Sequence, residues 1–507
     1  MPLLTAVKKK QGHVTAFSLH QRFYMFAREA LTLFKLRSRF SYLNTTGTLM
    51  IRWCFISVLF LSVNLKQVCG VWPMPQRITQ SNQRRVLNPQ LFTFNHTTDS
   101  AARAGCSVLD AAFRRYFRII FPDFADGTGF SNSCSEPKPF TVSVSVRSGG
   151  CDEYPDEGSN ESYNLSVLAG HAVLRAESVW GALRGLESFS QLVYQDHNLY
   201  YVNKTEIEDF PQFPFRGLLL DTSRHYLPLN AILKTLDAMA YNKFNVFHWH
   251  IVDDPSFPYK SHSYPDLSNK GAFHSVTHIY TQLDVRKVIA HARFRGIRVV
   301  PEFDSPGHTH SWGKGQPDLL TPCYKRTVPT GTFGPINPTL RSSYQFMSSL
   351  FKEVTSVFPD SFVHLGGDEV DFKCWKSNPS VQAFMGKMGF GDDYSKLESF
   401  YMESIMNITA AFNKTSIVWQ DVFDYHKERR AQYVVEVWKR GCYLCKMRQV
   451  TRAGLKVILA APFYLDLPGP THDWARYYNV HPLSFKGSPT GQGLTLQHHQ
   501  MQDEQVT

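Results

Sequence analysis

From Gly217 onward the sequence repeats one pattern: a short apolar run, a polar or aromatic residue where the run stops, then an amphipathic helical stretch. The runs are Gly217–Leu220, Phe244–Val252, Ile297–Phe303, Phe362–Leu365, Ile417–Trp419, Tyr433–Trp438 and Lys456–Tyr464. Between them lie helical patterns such as Ala231–Tyr241, Leu283–Phe294 with Gly296 as a stop, and Tyr344–Val357. A helix between successive strands returns the chain to the same end of the sheet, so the strands pair in parallel. This many units with no reversal favours a TIM (β/α)8-type barrel. Seven runs are present, so the barrel is expected to lack its eighth unit, with residues 213–489 as barrel and 490–507 as a divergent tail.

In such a barrel the ends of the runs share one rim, where active sites sit. They supply Asp221 and Arg224, Asp253 and Asp254, Asp304 and His308, Asp368 and Glu369, Trp419 and Asp421, Trp438, and Tyr464 and Asp466. Carboxylates and an arginine hydrogen-bond hydroxyls, and Trp and Tyr faces stack on sugar rings, so the rim suits a carbohydrate. The plainer alternative is that acids after strands cap the next helix and that Trp438 is core.

One stretch narrows the chemistry. In His364-Leu-Gly-Gly-Asp-Glu-Val370 an apolar run ends in two glycines and two adjacent carboxylates. On a regular strand side chains 368 and 369 point to opposite faces. Gly366 and Gly367 allow a bend that turns both acids to one pocket. An ionised neighbour raises the pKa of the second carboxyl, as a general acid at a glycosidic oxygen requires, and Glu369 is the expected acid. A strand followed by an acidic helix start is the alternative.

The first half reads differently. Residues 71–92 are polar and expected to be a loose entry; Cys106–Phe121 reads as a helix with Val108, Leu109, Ala112, Phe113, Tyr116 and Ile119 on one face. A period-two strand (141–147), a hairpin (162–168 and 171–176), a helix (Val179–Val193) and a strand (Leu199–Asn203) complete a small α/β domain over 71–212. Prolines in Phe210-Pro-Gln-Phe-Pro-Phe215 mark the linker.

The formal charge of +11 is not a nucleic-acid signal, because residues 1–70 hold ten Lys/Arg against Glu29 alone, leaving +2 for the rest. Within that leader, Met50-Ile-Arg52 precedes an apolar run, Trp53–Leu65, and the small-residue site Val68-Cys-Gly70, the pattern of a secretory signal peptide over 50–70. Residues 1–49 are an atypical extension; an uncleaved run would become a membrane anchor. Sequons at Asn95, Asn160, Asn164, Asn203, Asn407 and Asn413 agree with secretion. Seven cysteines lie beyond the leader, so at least one is unpaired within the chain.

A metal-dependent barrel hydrolase is the competing class, because His248-Trp-His250 and His308-Thr-His310 have the alternating spacing of metal ligands. Against it, His248 and His250 lie inside a strand, and no third set matches. Cys442-Tyr-Leu-Cys445 is a CxxC without a second pair, a weaker zinc or redox signal still.

Four stretches carry a resemblance: Arg216-Gly-Leu-Leu-Leu-Asp-Thr-Ser-Arg-His-Tyr226, Asn245-Val-Phe-His-Trp-His-Ile-Val-Asp-Asp-Pro-Ser-Phe-Pro258, Glu302-Phe-Asp-Ser-Pro-Gly-His308 and His364–Val370. They resemble the β-N-acetylhexosaminidases of glycoside hydrolase family 20, the lysosomal animal type, over about Asn88 to Pro489. The resemblance implies an N-terminal α/β domain on the barrel, release of terminal β-linked N-acetylglucosamine or N-acetylgalactosamine, and no metal or other cofactor. It implies that the substrate's 2-acetamido oxygen is the nucleophile. Glu369 would then protonate the leaving group, Asp368 accept the acetamido N–H, and Tyr464 donate to the acetamido oxygen. Arg224 and Asp466 would bind hydroxyls, Asp253 and His308 orient the acid, and Trp419 and Trp438 wall the acetamido pocket.

By the same resemblance Cys106 pairs with Cys151 and Cys323 with Cys374, and Asp466-Leu467 looks like the β-type subunit that prefers neutral substrates. The implied partners are an oligosaccharide or glycolipid substrate, a second hexosaminidase subunit in a homo- or heterodimer, and a lipid-presenting activator protein. The implied location is the lysosome by way of the secretory pathway. One departure stands out: the family's Gly-Gly-Glu-Ala-Cys-Leu-Trp-Gly-Glu stretch, its eighth unit and its third disulfide are absent, and the chain ends in Gln492-Gly-Leu-Thr-Leu-Gln-His-His and Gln500-Met-Gln-Asp-Glu-Gln-Val-Thr507. An open seven-stranded barrel exposes two sheet edges, so poor folding, or an inactive isoform that at most binds sugar or pairs with a subunit, is the alternative to an active enzyme.

Overall fold

The computed structural model describes residues 70–125, 138–425, 432–465, 474–485 and 494–499. The expected signal peptide, the extension before it, Cys134 and Asp466 lie outside the described residues.

The first unit is a mixed sheet covered by helices. Its strands follow the order Arg77–Leu87, Leu199–Asp209, Tyr163–Val167, His171–Ala176, Phe140–Val146, Phe92–His96, with Tyr194–Asp196 paired to Leu199–Asp209. Phe140–Val146 alternates buried and half-buried residues along its whole length, the period that places Phe140, Val142, Val144 and Val146 in the core. The helix Ser107–Ile120 buries Val108, Leu109, Ala112, Tyr116 and Ile120, with Phe113 and Ile119 half-buried against the same core. The reading of 71–92 as a loose entry is overturned: Arg77–Leu87 is an eleven-residue edge strand paired antiparallel with Leu199–Asp209. Its side chains are mostly exposed, so an edge position left no apolar alternation to read.

The second unit is a closed barrel of eight parallel strands: β1 (Phe215–Asp221), β2 (Val246–Val252), β3 (Arg298–Phe303), β4 (Phe362–His364), β5 (Thr415–Trp419), β6 (Val434–Val437), β7 (Lys456–Leu459) and β8 (Leu494–His499). The expectation of seven strands with two open edges is therefore corrected. The segment Leu494–His499, read as a divergent tail, pairs in parallel with β7 on one side and β1 on the other, closing the ring. It escaped notice because Leu494 and Leu496 are its only strongly apolar residues, whereas parallel pairing needs only backbone groups in register.

The helices around the barrel follow from their apolar spacing. Leu229–Tyr241 buries Ile232, Leu236, Met239 and Ala240, one stripe of a 3.6-residue period. Gln282–Arg293 opens on a capping box in which Thr281 and Asp284 satisfy each other's backbone N–H, and the chain turns out of it at Gly296, φ +64°. A two-stranded arm, Leu320–Lys325 with Val328–Ile336, was not foreseen.

Inside the barrel the side chains form two unlike layers. At the base, Phe215, Val246, Val300, Phe362, Ile417, Val434 and Ile458, one from each of β1 to β7, make a dry plug; burial of each contributes about 1.5–3 kcal/mol. Arg298 and Asp360, both buried, clamp that end with two hydrogen bonds of 2.7 and 2.8 Å. Towards the other end the interior is polar: His248, His250, Glu302, His364, Trp419 and Glu436. The two units are joined by Glu161, buried between them, which accepts from Arg184 (2.6 Å), Arg216 (2.8 Å) and Asn245 (3.1 Å).

Candidate active site

Sequence places the double acid after β4, and the local backbone shows how both acids reach one place. Gly366, Gly367 and Glu369 have φ of +68°, +89° and +50°, so the strand breaks into a left-handed turn. A Cβ on Gly366 would stand 1.7 Å from Asp304 Oδ1, and one on Gly367 2.4 Å from Val422 Cγ2; only glycine fits at either position. Gly367 N–H donates to Asp304 Oδ1 (2.8 Å), pinning the turn to the end of β3. His308 then stands 3.7 Å from both acids, with Nε2 facing Asp368 Oδ2 and Glu369 Oε2. Glu369 remains more than half exposed while Asp368 is half-buried.

Behind His308 runs a chain of alternating charge. Its Nδ1 contacts Asp253 Oδ1 (3.2 Å); Asp253 Oδ2 contacts His250 Nε2 (2.7 Å); His250 Nδ1 contacts Glu302 Oε2 (2.8 Å). Glu302 also meets His248 Nε2 (2.7 Å) and accepts from Trp419 Nε1 (2.8 Å). Burial works against charge on His250, yet Glu302, Asp221 and Asp253 raise its pKa well above the usual imidazole range. Burial likewise opposes charge on His308, but the carboxylates of Asp304, Asp253 and Asp368 raise it to about 11. Asp253 is buried too, and its hydrogen bonds from His250 and His308, with Arg224 beside it, hold it far below the usual range. The chain therefore carries fixed signs: Glu302 negative, His250 positive, Asp253 negative, His308 positive.

The acid pair itself behaves differently from expectation. The carboxyl that shares a proton with Asp368 is Asp304, at the end of β3. Burial drives both upward, Asp304 furthest, while His308 and a hydrogen bond from Asp304 pull Asp368 back. Asp304 is therefore the more reluctant of the two to ionise, and Asp368 lies beside the His308 cation.

The other rim residues divide. Arg224 is fixed by Asp221 (2.8 Å) and Asp253 (2.9 Å), its side chain about one third exposed. Trp438 Nε1 donates to Asp421 Oδ2 (2.8 Å), and Lys439 Nζ to Asp421 Oδ1 (2.7 Å), so one buried carboxylate sets that wall. Trp419 is buried, its ring 4.7 Å from His364 and its N–H on Glu302. Tyr464 is half-buried in the turn after β7, where its carbonyl accepts from Tyr477 Oη (2.8 Å). Glu398, on the helix Tyr394–Ala411, is buried beside this wall without a hydrogen-bond partner for either oxygen among the described residues. Burial and the charge of Asp421 push it up to about 9, against the pull of Lys439.

Sequence reasoning assigned no role to Glu302, His364, Glu398 or Glu436, and gave Asp304 only a place on the rim. A signal existed for two of them: Pro301-Glu302-Phe303 and Val435-Glu436-Val437 put a charge inside an apolar strand run, which is costly unless it is paired. The four histidines of the metal reading do not converge; His248 and His250 turn onto Glu302 and His310 onto Asp254. Among the described residues no three-ligand group contains two of them.

Among the described residues there are three disulfides. Cys106–Cys151 and Cys323–Cys374 pair as the resemblance implied, the second tying the two-stranded arm to the helix after the acid turn. Cys442–Cys445 is the third, a pairing that had been left open. Five of the sequon asparagines are exposed and Asn203 is half-buried; Asn407 and Asn413 line a cavity of about 430 Å³ near the start of β5, away from the rim. No helix among the described residues is long and apolar enough to cross a membrane.

Comparison with known proteins agrees with this geometry. The pattern described as "Glycosyl hydrolase family 20, catalytic domain" matches residues 213–503, and "beta-acetyl hexosaminidase like" matches residues 71–192. Beta-hexosaminidase subunit alpha of Bos taurus is 51% identical over 87% of this chain and 84% of its own. Beta-hexosaminidase subunit beta of Homo sapiens is 52% identical over 84% of this chain and 77% of its own. Among solved structures, Flavobacterium johnsoniae chitobiase superposes with a TM-score of 0.70 at 27% identity, over 84% of this chain and 64% of that one. An exo β-N-acetylglucosaminidase from Vibrio harveyi, solved with N-acetylglucosamine, gives 0.66 at 25%, over 84% and 68%. With a closed barrel, both acids turned to one histidine, and these likenesses over most of its length, the chain belongs to glycosyl hydrolase family 20 and is a glycosidase.

Proposed function

We propose that the chain is a β-N-acetylhexosaminidase that removes terminal, non-reducing β-linked N-acetylglucosamine or N-acetylgalactosamine from glycoconjugates, with retention and with the substrate's own acetamido group as nucleophile. The observation that carries this reading is the turn at Gly366–Glu369, which presents two adjacent carboxyls to His308 at equal distances of 3.7 Å. In the first step the acetamido oxygen bonds to the anomeric carbon as the bond to the leaving oxygen breaks, and Glu369 delivers its proton to that oxygen. Asp368, kept anionic by its neutral neighbour Asp304, accepts the acetamido N–H and balances the oxazolinium charge; Tyr464 donates to the acetamido oxygen. Water, deprotonated by Glu369, then opens the ring.

Arg224 and Asp466 hold sugar hydroxyls, Asp253 and His308 orient Glu369, and Trp419 and Trp438 wall the acetamido pocket. The substrates are neutral sugars on glycolipids, glycoproteins and glycosaminoglycan fragments. The enzyme pairs with a hexosaminidase subunit, a copy of itself or the other type, receives glycolipid from a lipid-presenting activator protein, and works in the lysosome, its glycans carrying the sorting signal.

The test is release of the aryl alcohol from an aryl β-N-acetylglucosaminide at acidic pH, with the first sugar product followed by proton NMR. The β-anomer is expected first, and Glu369→Gln should lower kcat by about 10² to 10⁴. An absence of turnover by folded protein, or an initial α-anomer, overturns the reading.

A further inference from the structure

The Cys442–Cys445 disulfide lies outside the sugar-binding machinery, and its surroundings differ from those of the other two. Cys106–Cys151 and Cys323–Cys374 join segments 45 and 51 residues apart, and each is at least half-buried. Cys442–Cys445 closes a ring with two residues between its ends, and both cysteines are exposed. It therefore holds little of the fold together and is open to attack.

Two features favour its reduced form. Cys442 is the N-cap of the ten-residue helix Tyr443–Arg452 and makes no side-chain cap hydrogen bond while oxidised. A thiolate there would accept the first-turn N–H groups and meet the positive end of the helix dipole. The stretch from Lys439 to Arg452 carries Lys439, Arg440, Lys446, Arg448 and Arg452 and no acidic residue. Lys439 and Lys446 are drawn to Asp421 and Asp424; Arg440, two residues before Cys442, is exposed. A helix terminus and a cationic neighbourhood lower a thiol's pKa, and stabilising the dithiol makes the disulfide a better oxidant.

We propose that Cys442 and Cys445 form a thiol–disulfide exchange site whose substrates are small thiols. An incoming thiolate attacks one of the two sulfurs, forms a mixed disulfide with it and expels the other as a thiolate. A second thiolate attacks the mixed disulfide, so two thiols leave as one oxidised disulfide and the protein gains two electrons and, after protonation, two protons. The chemistry is separate from glycoside hydrolysis, and its test does not depend on turnover.

The native, full-length protein is incubated anaerobically with graded reduced glutathione, quenched with iodoacetamide and mapped by peptide mass spectrometry. The peptide containing Cys442 and Cys445 should become alkylated or glutathionylated at about tenfold less thiol than either other disulfide. Opening of all three together, or only after denaturant, overturns the proposal. Independently, in Cys445→Ser the rate of Cys442 alkylation against pH should have its midpoint clearly below the ordinary thiol value of about 8.5. A midpoint at or above that value also overturns it, and the glutathione titration of the unaltered protein stands whether or not the variant folds.

Discussion

Glu398 is a buried acid that the fold keeps neutral, and replacing it should reveal a cost that depends on pH. Its pKa of about 9 reflects burial first and Asp421 second. Below the unfolded value of about 4.5 both states are protonated and nothing is lost. As pH rises past 4.5 the unfolded chain ionises while the fold does not, and stability falls by about 1.4 kcal/mol per unit until the folded pKa is reached. At pH 7 the cost is about 3 kcal/mol, and at pH 5 below about 1 kcal/mol. Glu398→Gln has nearly the same shape and cannot ionise, so the variant should gain roughly 2–3 kcal/mol over the parent on going from pH 5 to pH 7. Chemical denaturation of both proteins at the two pH values, with no thiol present, measures this directly. A stability difference that is the same at pH 5 and pH 7, of either sign, would refute the reasoning.

Gly366→Ala should abolish both folding yield and turnover, because its Cβ falls within 1.7 Å of Asp304 Oδ1 at φ +68°. By contrast Gly386→Ala, in the helix Pro379–Lys387 with nothing within 4 Å of the added atom, should leave turnover unchanged and raise stability by about 0.5–1 kcal/mol in a thermal melt. Removing either Glu302 or His250 takes one buried partner from the other, leaving His250 to Asp253 or Glu302 to His248 and Trp419, and should cost up to about 3–5 kcal/mol. The double variant Glu302→Gln/His250→Gln should therefore be less destabilised than the sum of the singles in denaturant titrations, and simple additivity would contradict the alternating chain. Asp304→Asn removes the carboxyl that hydrogen-bonds Asp368 without adding charge; kcat for an aryl β-N-acetylglucosaminide should fall with KM little changed, since Arg224, proposed to bind hydroxyls, keeps its contacts to Asp221 and Asp253.

Much of the barrel was readable because its strands are buried on both faces and so appear as unbroken apolar runs, each followed by a helical period. What failed was whatever lacked that contrast. Arg77–Leu87 is a strand with a mostly wet surface, and Leu494–His499 is a strand whose place is given by its neighbours β7 and β1 rather than by its own composition. The acid turn was legible from two glycines before two acids, because φ near +70° and +90° leaves few alternatives. The identity of the proton-sharing partner was not, since Asp304 comes from another strand and only folding brings it against Asp368. The two histidines on β2 were first weighed as metal ligands; their alternation on the strand was real, but the group they meet is Glu302.

Two buried groups pushed up to about 9, His364 and Glu398, act in the same direction although one is a base and the other an acid. For His364, Glu302 and Glu436 outweigh burial; its contribution is fully present below the unfolded value of about 6.5 and is lost as pH rises through 9. Glu398 is without cost below about 4.5 and increasingly unfavourable above it. Both therefore favour the fold in mild acid over neutral pH. Asp253 opposes them only at much lower pH, because a depressed carboxylate loses its contribution as pH falls from its unfolded value of about 4. Between those limits, in mild acid, the chain from Glu302 to His308 keeps all its signs while the buried acid beside Trp438 stays neutral. A barrel interior with three histidines against two glutamates is thus most stable under mildly acidic conditions.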